Sequence, residues 1–343
     1  MALHRVMAGD PAPGFIQHCT THWGRYSFDM AAGRYNILLF VPGLHTPSAR
    51  QALASFRRYG AQGREGHMQL FVVVADPADR TAHSPADRVP GTLFVWDADH
   101  LVHDRYGVAP DTCLWVVVDP MMRICLVRED TPDGAERIYE WTDRQPRHQD
   151  GPVPALLLPD ILERTFCDSL IAYYRARTPQ RSAILTQGQA GQAVSITDQA
   201  FKRRHDCVLN DPYLVQQLQA RIIRRVVPQI TKVFQCTVTR MNRMIVSCYD
   251  GRENGCFGPH RDNTVAESAH RLFAISINLN DEFEGGDLVF PEFSARGFRP
   301  PTGGAMVFSC GLLHAVRPVT RGCRYACLPF AFNDASLARP VTE

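Results

Sequence analysis

The sequence predicts two folded parts: an α/β unit built on a parallel βαβ motif, then a helix-flanked β unit of sandwich or jelly-roll type. Three observations predict this. The chain has 343 residues, enough for two domains of ordinary size. Its first third alternates short apolar runs with an amphipathic segment. Its last third breaks into many short strand-like runs separated by Gly and Pro.

The apolar runs of the first part are Asn36–Pro42, Gln69–Ala75, Leu93–Trp96 and Leu114–Asp119. They are rich in Val, Leu and Phe, as strands covered on both faces are. Between the first two lies Ser48–Tyr59, with Ala52, Leu53 and Phe56 at helical spacing. Strand, helix, strand implies a right-handed parallel unit. Residues 130–153 are polar and carry three Pro after Thr131, so a linker is expected over 141–153, joining a domain over 1–140 to one over 154–343. After it, Ile161–Arg177 and Asp211–Phe234 read as helices, the second divided by Pro228. The expected strands that follow are Met244–Tyr249, Leu272–Leu279, Asp287–Phe290, Ala305–Ser309, Ala315–Val319 and Arg324–Phe332.

Composition narrows the function. Hydrophobic residues make up 45% and charged residues 21%, as in globular proteins. With 37 basic and 35 acidic residues the net charge is +2, too balanced for nucleic acid or a membrane surface as the main partner. There is no apolar run of membrane-spanning length and no signal-peptide core at the N-terminus, so a cytoplasmic location is expected. The eleven cysteines are odd in number and include no CxxC pair, which reads as reduced thiols.

The segment richest in chemistry is CYDGRENGCFGPHRDN, residues 248–263. His260 and Asp262 are two apart, and on a strand they would share a face roughly 7 Å apart. His314 in GLLHAVRPVTRGCRY is the best candidate for a third ligand. Two His and one carboxylate form the facial triad of non-haem iron oxygenases. Ten residues beyond His314, Arg324 can hold a carboxylate bidentately. His205 and His270 lack such context and are expected to be solvated.

With these pieces the region 154–335 resembles the 2-oxoglutarate/Fe(II) dioxygenases of the prolyl 4-hydroxylase type. The matching segments are CYDGRENGCFGPHRDN, RLFAISINLN, EFEGGDLVFPE and GGAMVFSCGLLHAVRPVTRGCRYACLPF. The resemblance implies a double-stranded β-helix. It implies Fe(II) on His260, Asp262 and His314, and 2-oxoglutarate with its far carboxylate on Arg324. Tyr249 matches a tyrosine lining the co-substrate pocket, and Gly285 and Gly286 match a turn into a core strand. Asp262 stands where halogenating relatives have a small residue, which favours hydroxylation. Asn278 stands where some members have a second tyrosine. The implied reaction uses O2 on a C–H bond of a prolyl residue, amino acid or small molecule, giving succinate and CO2, with ascorbate as an optional reductant. Desaturation and ring closure remain open outcomes of the same chemistry.

The first part, over residues 7–128, resembles the peroxiredoxins, the alkyl hydroperoxide reductase/thiol-specific antioxidant family of thioredoxin fold. AGDPAPGF, GRYNILLFVPGLHTPSAR, QLFVVVADP and YGVAPDTCLWVVVDP carry the likeness. That family's P-x-x-x-T-x-x-C motif here runs from Pro42 through Thr46 to Ala49. Its arginine before the late strand aligns with Cys113. An alanine forms no thiolate, so no peroxidase activity is expected, and the domain is left substrate presentation, dimerisation or a lid as its role. Two alternatives stand beside the dioxygenase: a thiol peroxidase or redox sensor using other cysteines such as Cys19 or Cys113, and a non-catalytic protein that binds iron and 2-oxoglutarate.

Overall fold

The computed structural model describes residues 5–21, 24–60, 68–83, 89–146, 150–187 and 193–338. It divides into two compact units, one over residues 1–151 with 291–295 and one over 152–290 with 296–342.

The first unit is thioredoxin-like. Its sheet runs in the order Arg25–Ser27, Ile16–Cys19, Thr92–Trp96, Met68–Val74, Tyr35–Val41, Leu114–Val118, Ile124–Glu129. The strands Tyr35–Val41, Met68–Val74 and Thr92–Trp96 are parallel to one another, while Leu114–Val118 and Ile16–Cys19 flank them antiparallel. The expected runs therefore fall on real strands. They lack polar alternation because both faces are covered. Ile37, Leu39 and Val41 pack with Ala52 and Phe56 of the helix Pro47–Gly60 and with Ile138 and Tyr139. Leu38 and Phe40 point the other way, onto Val102 and Tyr106 of the helix Leu101–Tyr106. Alternate side chains thus serve two cores.

The polar stretch after residue 130 is not all linker. Gly134–Asp143 is a helix, three residues into the segment expected to connect the domains. Ile138, Tyr139 and Thr142 form its buried face, and Trp141 packs on the same core. The many charged residues of the outer face mask this period in the sequence.

The second unit is a jelly roll. One sheet carries Lys202–Arg203, Cys256–His260, His314–Val316 and Leu288–Phe290 in that order. The other carries Arg240–Asn242, Phe330–Phe332, Phe273–Asn278, Val319–Cys327, Ile245–Asp250 and His205–Val208, with Ala305–Ser309 joined to Phe273–Asn278. Helices Arg164–Arg175, Pro212–Arg225 and Val227–Phe234 cover the outer face of this larger sheet. Leu170, Leu218, Ile222 and Ile230 pack there against Val246, Ile275, Ile277 and Cys327. The break after Arg225 lies at Pro228, as expected. The expected strand Ala315–Val319 is two: His314–Val316 ends before Pro318, and Val319–Cys327 begins after it. Leu328 and Pro329 likewise separate that strand from Phe330–Phe332. Proline cannot donate to a ladder, so it sits at the joins.

Gly285 and Gly286 both have left-handed φ, +72° and +70°. A Cβ on Gly285 would stand 2.2 Å from the Pro318 carbonyl oxygen, so this turn requires glycine.

Candidate metal centre and co-substrate pocket

Two cross-strand pairs build the site. His260 ends its strand directly opposite His314. Tyr249 lies directly opposite Arg324 on the other sheet. One pair comes from each layer, and the space between the layers is the cavity.

Asp262 is not on the strand, contrary to the simple two-residue spacing argument. The strand stops at His260. Asp262 is fixed in the following turn by its own N–H, which donates to the Cys310 carbonyl at 2.9 Å. The turn still brings the carboxylate to the imidazoles. Asp262 Oδ1 is 3.7 Å from His260 Nε2 and Oδ2 is 3.4 Å from His314 Nε2. One donor atom from each of the three lies within 4.8 Å of the others.

Both imidazoles are oriented by the backbone. His260 Nδ1 lies 2.9 Å from the Gly258 carbonyl and His314 Nδ1 lies 3.0 Å from the Leu312 carbonyl. A carbonyl accepts only, so each Nδ1 carries the proton and each Nε2 keeps its lone pair toward Asp262. Phe257 stacks on His260 at 3.5 Å between centroids, and Phe308 meets His314 edge-on at 4.7 Å. Burial, the facing His314 and the cations Lys202 and Arg204 push the His260 pKa well below the ordinary imidazole value. Neutral imidazole is the ligand form. The donor set, its tautomers and its partial burial fit a divalent first-row metal.

Arg324 is buried. Its Nε donates to Asn278 Oδ1 at 3.1 Å and its Nη2 donates to Ser276 Oγ at 3.4 Å. Its Nη1 has no partner. Among the described residues no carboxylate lies within ion-pair distance of it. Burial pushes its pKa down. A buried guanidinium with an unfilled donor is costly unless an anion completes it. The far carboxylate of 2-oxoglutarate fits that vacancy in charge and shape. Tyr249 lies beside it, with its ring 5.4 Å from the Arg324 Cζ, and its hydroxyl accepts from Arg204 Nη1 at 3.3 Å. Asn278, which departs from the tyrosine of some relatives, is thus the residue that orients Arg324.

The cavity, about 430 Å³ with its mouth, is lined by the three candidate ligands and by Tyr249, Ser276, Leu288 and Val316. Arg243, Ala274, Leu328 and Phe330 also line it. Arg204 and Arg243 were not singled out by sequence. Arg204-x-Asp206 alternates along a strand pair, a weak signal. Arg243 has none, because its position depends on a left-handed φ of 58°. His270 is not free in solvent either: it packs 4.6 Å from the Phe332 ring, with Nε2 3.1 Å from Asn242 Nδ2. His205 is partly buried and lies 4.0 Å from Glu253.

In the first unit, Ala49 is fully buried near the start of its helix. Thr46 of the same motif accepts from the Ala49 N–H at 3.3 Å, so the turn of the motif persists without its thiol. Beside it Ser48 donates to Asp130, and Cys113 has its pKa raised by burial, with Asp130 acting in the same direction. A second grouping of His45, Asp76 and Asp79 occurs here. There Asp79 already accepts from the Leu44 N–H and Asp76 caps the helix Pro77–Ala82.

Comparison with known proteins agrees with both halves. Residues 8–125 match the AhpC/TSA family. The chain is 33% identical over 102 residues to a PKHD-type hydroxylase of Verminephrobacter eiseniae, covering 27% of this chain and 44% of that protein. The chain spans about two fifths of the length of the first curated relatives it matches, 41% to 44%. Among solved structures, a Trichoplax adhaerens prolyl hydroxylase in complex with a hypoxia inducible factor peptide is similar, at 15% identity and TM-score 0.41 over 54% of this chain and 86% of that one. Mycobacterium tuberculosis AhpC is similar at 16% identity and TM-score 0.35 over 41% of this chain and 98% of that one. The two resemblances read from sequence motifs thus recur in separate comparisons. No helix among the described residues is long and apolar enough to cross a membrane.

Proposed function

We propose that the protein is an Fe(II)- and 2-oxoglutarate-dependent dioxygenase that hydroxylates a C–H bond, joined to a peroxiredoxin-like unit without thiol chemistry. The observation that carries this reading is the pairing of a three-donor cluster that lines a cavity with a buried Arg324, one nitrogen unpartnered, held against Ser276 and Tyr249 of the same cavity wall. Either feature alone has a structural explanation; the two together match a metal and a dicarboxylate bound side by side.

Bound there, iron with 2-oxoglutarate and O2 supplies the C–H oxidant, with succinate and CO2 as co-products. His260, Asp262 and His314 would hold the metal, three protein donors being few enough to leave room for co-substrate and O2. Arg324, oriented by Asn278 and Ser276, fixes the far carboxylate, and Tyr249 walls the pocket. Phe257 and Phe308 hold the imidazoles and keep water from the metal's protein side. The substrate is a prolyl residue, an amino acid or a small-molecule intermediate. The names of the relatives favour a hydroxylase, and the peptide in the Trichoplax complex makes a prolyl peptide one reasonable choice.

The test is succinate release from 2-oxoglutarate in air with Fe(II), across a panel of such substrates. Wild type should form succinate, and His260→Ala should form none. Equal turnover by the variant would remove the assignment.

A further inference from the structure

The cavity wall is more cationic than the metal and co-substrate require. Arg243 lines it. Its Cζ lies 5.2 Å from the Phe330 ring centroid, and the Cζ of Arg271 lies 4.2 Å from the same centroid. Arg204 is also present. The one carboxylate beside them, apart from Asp262, is Asp206, and it is already engaged. It accepts from Arg204 Nη2 at 2.8 Å, Ser182 Oγ at 2.6 Å and Ser247 Oγ at 2.6 Å. Arg243 reaches it only at 3.8 Å, beyond hydrogen-bond length.

Arg271 donates once, from Nη1 to the Asp262 carbonyl at 3.3 Å, and its Nε has no partner. Among the described residues three guanidinium groups therefore share two carboxylates, Asp206, already hydrogen-bonded, and Asp262, set among the candidate metal ligands. The field is strong enough to act on a neighbour: burial first, then Arg204 and Arg243, push the Lys202 pKa down to about 6.

Backbone strain points to the same residue. Arg243 is a long non-glycine side chain held at a left-handed φ. Such a conformation is unfavourable for a residue with a Cβ and persists where the surroundings enforce it. Here it turns the chain between Arg240–Asn242 and Ile245–Asp250 and presents the guanidinium at the cavity. Phe330 offers an apolar face beneath it.

We infer that the substrate carries an anionic oxygen group, a carboxylate or a phosphate, which docks on Arg243 at the Phe330 edge with Arg271 reinforcing the field. This rests on the dioxygenase reading, since it takes the Arg324 side to be filled by 2-oxoglutarate. It narrows the substrate class to acids and phosphorylated compounds, or to peptides with an acidic group beside the reacting residue. Arg204, whose two terminal nitrogens already donate to Asp206, Ser182 and Tyr249, acts as a positioning residue.

The experiment uses full-length protein loaded with Mn(II) and 2-oxoglutarate, loading being confirmed first by calorimetry. Failure to load would count against the dioxygenase reading and is seen before any anion is added. Benzoate, phenyl phosphate and neutral benzamide are then titrated. At least one anion should bind tenfold or more tightly than benzamide, and the tighter anion identifies the group. Arg243→Met should lose that preference while still loading with 2-oxoglutarate, which shows an intact fold. Arg243→Lys should recover part of it. Equal binding of benzamide and both anions by the wild type overturns the inference, as does an undiminished preference in Arg243→Met.

Discussion

The two units treat a buried charge in opposite ways. In the first, Asp97 is fully buried and surrounded by donors. It accepts from Gln17 Nε2 at 3.1 Å, the N–H groups of Val102 and His103 at 2.9 Å each, and His103 Nδ1 at 2.7 Å. Burial alone would raise its pKa, but those hydrogen bonds prevail and lower it. The carboxylate is spent on capping the helix Leu101–Tyr106. In the second unit Arg324 is as deeply buried, yet one terminal nitrogen is unfilled and, among the described residues, no carboxylate lies within ion-pair distance of it. A fold satisfies its internal charges where it can. Where it leaves one open beside a cavity, the missing partner is a ligand. By that criterion a ligand site is assigned to the second unit, while in the first Ala49 stands, fully buried, near the start of its helix.

Removing the open charge gives the largest expected effect. Arg324→Met should weaken 2-oxoglutarate binding by about 2–5 kcal/mol, or roughly 30- to 5,000-fold, as truncation of a buried charged partner does. The same change removes an uncompensated buried cation, so the ligand-free variant should melt no lower than wild type. A large loss of thermal stability would show Arg324 to be a structural group.

Lys202 gives a smaller effect that depends on pH. It is buried, donates to the Ala183 carbonyl at 2.8 Å and lies 4.3 Å from the Phe257 ring. With a folded pKa lowered to about 6 and an unfolded one near 10.4, the unfolded chain binds the extra proton between those values. Stability from this group therefore rises with pH through that window. Lys202→Met should be more stable than wild type near pH 6, by an amount on the order of a few kcal/mol, and the gap should close toward pH 10. Denaturation midpoints across that range measure it. A constant gap would contradict the assigned burial cost.

The smallest effect belongs to the first unit. Ala49→Cys restores the missing motif atom but not its electrostatics. The neighbouring Ser48 is engaged by Asp130, and burial together with Asp130 pushes the nearby Cys113 thiol up. A carboxylate nearby keeps a thiol protonated, whereas peroxide attack needs a thiolate. Consumption of hydrogen peroxide with a thiol reductant should match wild type. A marked gain would show that the site lost only its sulfur.

Much of this was legible in the sequence where the signal was local. The runs Asn36–Pro42 and Leu114–Asp119 stand out because two-sided burial removes polar alternation. The candidate ligands His260, Asp262 and His314, which the fold does bring together, and the candidate anchor Arg324 were readable from motif spacing and family resemblance. Less visible was the helix Gly134–Asp143, whose apolar face is narrow and embedded in charge. The split of the late strands depended on Pro318 and Pro329, whose effect on the ladder was underweighted. Arg243 could not be read at all, since its place at the cavity follows from one unusual backbone angle and from the approach of Phe330, which is 87 residues away in sequence. Asn278 looked like a departure from a pattern, and only its bond to Arg324 shows what it does.

The central claim is that metal and dicarboxylate share one cavity. Anaerobic calorimetry of 2-oxoglutarate against the protein with and without Fe(II) tests it most directly. The account predicts one binding event per chain that requires the metal and is lost in His260→Ala. Binding of equal strength without iron, or no binding with it, would contradict the account.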